Sequence, residues 1–116
     1  MCKPLFVAAL VLLAVPAAAG RRSAMVGGAT WYGPGFAGRR TASGERFNPR
    51  AMTLASRCLP FGTRLRITDL RTGRSAVGRV NDRGPYTRGN IVDLSWGLAR
   101  RIGLTGRDVV RLQVLR

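Results

Sequence analysis

The sequence predicts a mainly β domain built from six short strands and one helix. Several segments alternate polar with apolar residues at period two, as half-buried strands do, and glycine- or proline-containing turns separate them. One segment near the C-terminus instead carries its apolar residues at helical spacing. About 97 residues follow the apolar N-terminal segment, which is enough for one domain with one modest core and too few for two.

Four strands are predicted in the first two thirds of the chain. Residues 29–32 and 52–55 are rich in strand formers, and residues 63–70 alternate polar with apolar side chains. Residues 75–80 follow after a short turn and therefore form a hairpin with the third strand. Residues 33–49 hold four glycines and two prolines, which predicts a long shaped loop of the kind that carries function in small domains.

The last third of the chain adds two strands and the helix. Residues 91–92 suggest a brief strand, after which Asp93 or Ser95 can cap a helix that Gly103 ends. Residues 108–115 alternate apolar with polar side chains and are predicted to close the sheet.

The N-terminus has the order of a secretory signal. Lys3 precedes an apolar run at residues 4–15, and three alanines then end at Ala19. The run is about a dozen residues long, whereas a stable membrane-spanning helix takes about 20, so we predict cleavage and no stable membrane span afterwards. The predicted organisation is a signal peptide at 1–19, a flexible leader at 20–26 and a folded domain at 27–116.

Export sets the expected compartment, which is the periplasm or the cell envelope. A lipid anchor would need a cysteine directly after the cleavage site, but Cys2 lies inside the predicted signal and Cys58 deep in the mature chain, so a lipoprotein is not expected. The formal net charge of +15 suits polyanionic surroundings such as wall carboxylates, wall phosphates or lipid head groups. Nucleic acid is the rival partner, and export argues against it.

Few side chains can transfer a proton, because the chain has no histidine and only five acids. Asp93 is better suited to a helix cap or a buried acceptor than to catalysis, and Asp69 and Asp108 are typical solvated turn or strand-end residues. Asp82, on a Gly-Pro turn after an alternating strand, and Glu45, in the long loop, remain as candidates. The acids form no ligand pattern, so we predict no metal and no cofactor.

Both candidates also have a structural interpretation. The carboxylate of Asp82 can cap backbone N–H groups of the turn at residues 83–86, as aspartates in turns commonly do. Glu45 can be a solvated loop acid paired with Arg39 or Arg46.

Four motifs in the same order resemble the double-psi β-barrel domain of the rare lipoprotein A family, and the resemblance covers residues 27–115. It implies a six-stranded double-psi β-barrel with one short helix and a groove across one face. It also implies a peptidoglycan lytic transglycosylase that acts on glycan strands lacking stem peptides. We expect the protein to be a monomer. The motifs are Ala29-Thr30-Trp31-Tyr32-Gly33-Pro34-Gly35-Phe36, Thr41-Ala42-Ser43-Gly44-Glu45-Arg46-Phe47, Leu59-Pro60-Phe61-Gly62-Thr63 and Asn81-Asp82-Arg83-Gly84-Pro85-Tyr86.

The enzyme class implied by this resemblance cleaves the MurNAc–GlcNAc bond without water. An acid protonates the bridging oxygen, and the C6 hydroxyl of the sugar closes a 1,6-anhydro ring once a base takes its proton. The resemblance assigns the catalytic role to Asp82, with Glu45 as the second carboxylate. Substrate binding is expected from five further side chains, Trp31, Tyr32, Phe36, Arg83 and Tyr86.

The chain departs from the family pattern at Ser56, where the family has a histidine. Serine can donate and accept a hydrogen bond, but it cannot act as an acid near neutral pH. Three outcomes are open: Asp82 and Glu45 suffice, Ser56 holds a substituting water, or the barrel only binds glycan, as expansins loosen walls without cutting. An adaptor for envelope proteins is a further alternative.

Overall fold

The computed structural model describes residues 24–115, which form a closed barrel of six strands with one α-helix. A short 3-10 helix at Pro34–Phe36 follows the first strand. This arrangement confirms the six strands and the single helix that the sequence predicts. The strands are β1 (Ala24–Tyr32), β2 (Thr53–Ser56), β3 (Arg64–Asp69), β4 (Ser75–Asp82), β5 (Asn90–Ser95) and β6 (Asp108–Val114), and the helix is α1 (Trp96–Ile102).

The barrel closes in the order β1-β5-β2-β4-β3-β6, so neighbouring strands are mostly not consecutive in sequence. β1 pairs with β5 and β2 pairs with β4 in parallel, whereas the other four contacts are antiparallel. β3 and β4 form the predicted hairpin. Closure satisfies the backbone hydrogen bonds of both edges, which suits a small sheet without a second layer.

The core fills the barrel because the strands alternate as the sequence predicts. Leu65 and Ile67 of β3 are fully buried, and so is Val110 of β6. Their sequence neighbours Arg66, Val109 and Arg111 are exposed. α1 adds Leu98 and other apolar side chains to the same cluster. Gly78 makes room for this leucine, since a Cβ there would lie 2.7 Å from the Leu98 Cδ2 atom. The sequence predicts that Gly78 leaves space for a backbone, and the neighbour is instead a side chain.

Local signals fix both ends of α1. Of the two predicted caps, Ser95 is the one used: its Oγ accepts a hydrogen bond from the Leu98 amide at 3.1 Å and donates one to the Ala51 carbonyl at 2.6 Å. Gly103 ends the helix with φ of 79°, the left-handed conformation that glycine adopts without strain.

β1 is longer than the sequence predicts and begins before the expected domain boundary at residue 27. Ala24 already pairs with Gln113 of β6, and Val26 pairs with Arg111. The predicted signal at 1–19 and the first part of the predicted leader lie outside the described residues. Within residues 24–115, no helix is long and apolar enough to cross a lipid bilayer.

Replacing Leu98 should test how far α1 stabilises the barrel. Leu98→Ala leaves a cavity beside Gly78 and is expected to lower the free energy of unfolding by about 2–5 kcal/mol, measured by urea denaturation. Arg101→Ala on the exposed side of the same helix is the control and should change stability little. Equal effects of the two substitutions would show that α1 is not part of the core.

Candidate active site

An open groove of about 330 Å³ lies on the outside of the barrel, where β1, β5, β2 and β4 run side by side. The long loop between β1 and β2 forms one of its walls. The groove combines two acids, three arginines and three aromatic rings with two small residues. These are Asp82, Asp93, Arg39, Arg40, Arg83, Tyr32, Phe36, Phe47, Thr41 and Ala55.

The strand register places two carboxylates on either side of one alanine. Asp82 of β4 is the register partner of Ala55 in β2, and Ala55 is in turn the partner of Asp93 in β5. Two strand spacings put the backbones of the aspartates about 10 Å apart. Ala55 is only 3% exposed, but its methyl group lines the groove, so no large side chain of β2 separates the two acids.

Asp82 is held in place through one of its two oxygens. Its Oδ1 accepts hydrogen bonds from the amides of Ala42 and Arg83, both at 2.9 Å. The bond to Arg83 is the turn cap that the structural interpretation predicts, and the bond to Ala42 ties the long loop to the end of β4. Both amides use the same oxygen, which leaves Oδ2 for a group in the groove.

Asp93 is the most deeply set acid of the groove. Burial raises the pKa of its carboxyl group, and the nearby charge of Asp82 raises it further. The hydroxyl of Thr30 donates a hydrogen bond to Oδ1 at 3.1 Å and acts in the opposite direction. The net result is an acid that keeps its proton to a higher pH than an ordinary aspartate.

Tyr32 brings a neutral hydroxyl to the same pair of acids. Burial raises the pKa of Tyr32 first, and the charges of Asp82 and Asp93 raise it further. The buried hydroxyl approaches Asp82 without full hydrogen-bond geometry. Its ring stacks on Phe47 at 4.6 Å between centroids and meets the edge of Phe36 at 5.8 Å. The phenol is therefore a fixed, protonated donor beside the two carboxylates.

Glu45 lies outside the groove lining. Its carboxylate makes a two-point contact with Arg79, at 2.6 and 3.1 Å, and 41% of its side chain is exposed. The hydrogen bond from Arg79 lowers the pKa of Glu45. Glu45 is thus a paired loop acid, although its partner is neither Arg39 nor Arg46, and the structure does not bring it together with Asp82.

Ser56 is also absent from the groove lining, although its neighbour Ala55 is part of it. Ser56 is buried, and its Oγ accepts a hydrogen bond from the Leu59 amide at 3.2 Å. Successive side chains of a strand point to opposite faces, so Ser56 and Ala55 cannot both face the groove. The serine orders the turn after β2.

Arg83 lines the groove, but its guanidinium is directed away from the Asp82 carboxylate. It lies 3.9 Å from the centre of the Phe61 ring and donates to the carbonyls of Ser56 and Leu59 at 3.1 and 2.9 Å. Because the Arg83 guanidinium makes these contacts, it does not form an ion pair with the Asp82 carboxylate. Arg83 therefore braces the loop after β2 against the end of β4.

Of the other expected sugar contacts, Tyr32 and Phe36 line the groove and two residues do not. Trp31 packs against the core, lines a separate cavity beside Trp96, and donates from its indole nitrogen to the Thr105 carbonyl at 3.0 Å. Tyr86 is 77% exposed and is not among the lining residues. Among residues 24–115, no three histidine, cysteine or acidic side chains gather closely enough to hold a metal ion.

The sequence predicts Asp93 as a helix cap or a buried hydrogen-bond acceptor and gives Ala55 no role, and Asp93 is an acceptor, from Thr30. Strand alternation around Leu54 and Leu94, both buried, would have placed Ala55 and Asp93 on the outer face. That β2 and β5 are neighbours is a property of the barrel order, which local patterns do not contain.

Comparison with known proteins shows the family to which the chain is similar. A family model described as lytic transglycolase matches residues 24–114. The probable endolytic peptidoglycan transglycosylase RlpA of Nostoc sp. is 59% identical over 98 residues, which cover 81% of this chain and 26% of that protein. The endolytic peptidoglycan transglycosylase RlpA of Campylobacter jejuni is 46% identical over 89 residues, which cover 75% of this chain and 32% of that protein. The chain therefore spans between a quarter and a third of the length of these curated relatives.

The fold is also similar to a solved expansin structure from Clavibacter michiganensis, with a TM-score of 0.64. The two chains are 21% identical, and the match covers 81% of this chain and 51% of the expansin. At this identity the likeness bears on the fold alone. Together with the family model, it identifies the barrel as a double-psi β-barrel, as the resemblance implied.

The raised pKa of Asp93 predicts a pH-dependent effect of its removal. Below the ordinary aspartate range the residue is protonated in the folded and unfolded states, so its charge has no effect. As the pH rises from the ordinary aspartate range toward the raised pKa, the unfolded chain releases the Asp93 proton before the folded chain does, so the wild type loses stability that Asp93→Asn keeps. Asp93→Asn should therefore gain thermal stability relative to wild type as the pH rises above the ordinary aspartate range, measured by circular dichroism melting at a series of pH values.

Glu45→Gln is the control, with the opposite sign. Since the pKa of Glu45 is lowered by Arg79, its ion pair stabilises the folded state at neutral pH and is lost as the pH falls. This variant should be slightly less stable than wild type at pH 7, and the difference should shrink only as the pH falls below the ordinary glutamate range. If the stability of both variants relative to wild type changed with pH in the same direction, the burial assigned to Asp93 would be contradicted.

Proposed function

The chain belongs to the lytic transglycolase family, and from this membership we propose that it cleaves the MurNAc–GlcNAc bonds of peptidoglycan and leaves 1,6-anhydroMurNAc ends. The names of its relatives support peptidoglycan as the substrate. The observation that carries the proposal is the row Asp82–Ala55–Asp93, which sets two carboxylates on either side of an open, aromatic-walled groove.

In the proposed reaction Asp93 is the general acid. Burial and the charge of Asp82 raise its pKa, so it holds a proton that it can give to the bridging oxygen of the glycosidic bond. The bond from the anomeric carbon to that oxygen then breaks, and the leaving sugar departs with the proton as a hydroxyl group. Positive charge develops on the remaining sugar ring.

Asp82 is the group that meets this positive charge. Two backbone amides fix its Oδ1, so its Oδ2 can stabilise the charged ring without reorganising. The C6 hydroxyl of the same sugar attacks the anomeric carbon and passes its proton to Asp82. The products are an anhydro-ended strand and a strand with a free hydroxyl, and no water is consumed.

The remaining lining residues suit a glycan with carboxylates. The buried Tyr32 hydroxyl lies beside Asp82, and the rings of Tyr32, Phe36 and Phe47 provide apolar faces to the groove. Arg39 and Arg40 form no ion pair with any described acid. They are suited to the lactyl carboxylate of MurNAc, which is free only when the stem peptide has been removed, so we propose glycan strands without stem peptides as the substrate.

The site of action follows from the substrate. Peptidoglycan lies in the cell envelope, and the predicted signal peptide would deliver the chain there. We propose that the mature domain acts in the periplasm or the envelope as a monomer.

A second candidate function is glycan binding without cleavage. Ser56 stands at the position of the family histidine, and its contacts serve the turn after β2 rather than the groove. A barrel that lacks this side chain would still present its aromatic wall and arginines to a glycan. Mass spectrometry of the products separates the two functions, because only cleavage produces anhydro ends.

Substitution of the two groove acids tests the proposal. Asp82→Asn and Asp93→Asn should each lower the release of anhydro-ended fragments from stripped glycan strands by at least roughly 100-fold, because each removes a proton-transfer group. Glu45→Gln is the same change in an acid outside the groove and should retain most of the activity. Release is measured by mass spectrometry of the soluble fragments.

Two outcomes would contradict the assignment. Loss of activity in Glu45→Gln, with activity retained in Asp93→Asn, would return the second catalytic role to Glu45. A wild type that binds stripped strands but releases no anhydro ends would establish the binding function instead.

A further inference from the structure

A basic surface covers the outside of β3 and its two neighbouring strands. Arg64 and Arg66 point outward from β3, on either side of the buried Leu65. Arg79 of β4 is the register partner of Arg64, and Arg111 of β6 is the partner of the outward Thr68. All four arginines are exposed, and together they form the arginine face.

The arginine face lacks compensating acids. Among residues 24–115, only Arg79 of the four has an acidic partner, Glu45, and the other three make no ion pair or side-chain hydrogen bond. The remaining acids are engaged elsewhere: Asp69 is buried, Asp108 pairs with Arg71, and two acids lie in the groove. Like charges opposite each other on neighbouring strands destabilise a sheet, so this arrangement favours an external anion.

Exposed apolar side chains adjoin the arginines on the same side of the sheet. Val26 is 58% exposed and is the register partner of Arg111 in β6. Val109 is 42% exposed and lies two residues before Arg111, on the same face. The Leu70 amide donates a hydrogen bond to the Val109 carbonyl, so a third exposed apolar residue lies beside this pair. Arginines mixed with apolar side chains suit a lipid surface better than a soluble polyanion, which offers no apolar layer.

The arginine face and the groove lie on opposite sides of the barrel. In the closed order of six strands, β3 is three places from β5, and β6 is three places from β2. β5 and β2 carry Asp93 and Ala55 of the groove. A domain bound to a surface through β3 and β6 would thus present its groove away from that surface.

We propose that the arginine face docks the domain on anionic phospholipid, with the groove directed away from the bilayer. Guanidinium groups contact lipid phosphates, and Val26 and Val109 reach the boundary of the acyl region. The contact is reversible, and salt weakens it by screening the charges. It involves none of the residues assigned to the proposed cleavage and therefore stands or falls separately from it.

Vesicle flotation of the full chain tests the proposal. The probes are vesicles of phosphatidylcholine alone and of phosphatidylcholine with 30% phosphatidylglycerol, at about 50 mM salt. The triple variant Arg64→Gln, Arg66→Gln and Arg111→Gln should bind the anionic vesicles at least roughly tenfold more weakly than wild type. The control triple Arg50→Gln, Arg88→Gln and Arg101→Gln removes the same charge from exposed arginines outside the face and should lose less than about threefold.

Wild type and both triple variants carry the same N-terminus, so any vesicle binding by the apolar segment at residues 4–15 is the same in all three proteins. Circular dichroism checks that both triple variants are folded. Equal losses in the two triples would overturn the proposal, because net charge alone would then explain binding. Equal binding of wild type to the two vesicle types would also overturn it. A third result would overturn the proposal as well: tighter binding to soluble poly(glycerol phosphate) than to the anionic vesicles, lost in the triple variant of the arginine face. The partner would then be a polymer rather than a lipid surface.

Discussion

The pairing of β2 between β4 and β5 is the constraint on which the candidate site depends. It sets Asp82 and Asp93 on one outer row with Ala55 between them, and closure of the barrel leaves these strands no freedom to shift. A one-residue slip of any strand would turn its side chain to the other face. Leu54 and Leu94, the buried register pair next to this row, hold the register of β2 and β5 through the core. The packing of the barrel interior therefore also fixes the geometry of the groove.

The second requirement is that the groove acids form no ion pair with a described arginine in a chain with a formal net charge of +15. Elsewhere arginines neutralise acids, as Arg79 does for Glu45 and Arg71 for Asp108. In the groove the nearest arginine, Arg83, is instead held by the Phe61 ring and by two backbone carbonyls. Asp82 is held by amides, which are neutral donors. The site thus retains two acids that no arginine ion pair disables.

Local sequence patterns predicted much of the fold, because strand alternation and helix caps are local properties. Leu65 and Ile67 in β3 are buried as period two requires, and Ser95 and Gly103 end the helix as their residue types suggest. Asp82 was found through its motif. The partner of Asp82 was not, because the pairing of β2 with β5 joins segments nearly 40 residues apart and creates a row that no short pattern contains. Glu45 and Ser56 belong to matching motifs, yet they face Arg79 and a turn amide.

Filling the space between the two acids tests this account most directly. Ala55→Leu adds a side chain to the groove floor between the two carboxylates and changes neither of them. If the account is right, the variant keeps its circular dichroism spectrum but loses both binding and cleavage of stripped glycan strands, measured by co-sedimentation and by anhydro-end mass spectrometry. A folded Ala55→Leu protein that binds and cleaves like wild type would contradict the claim that the substrate lies between Asp82 and Asp93.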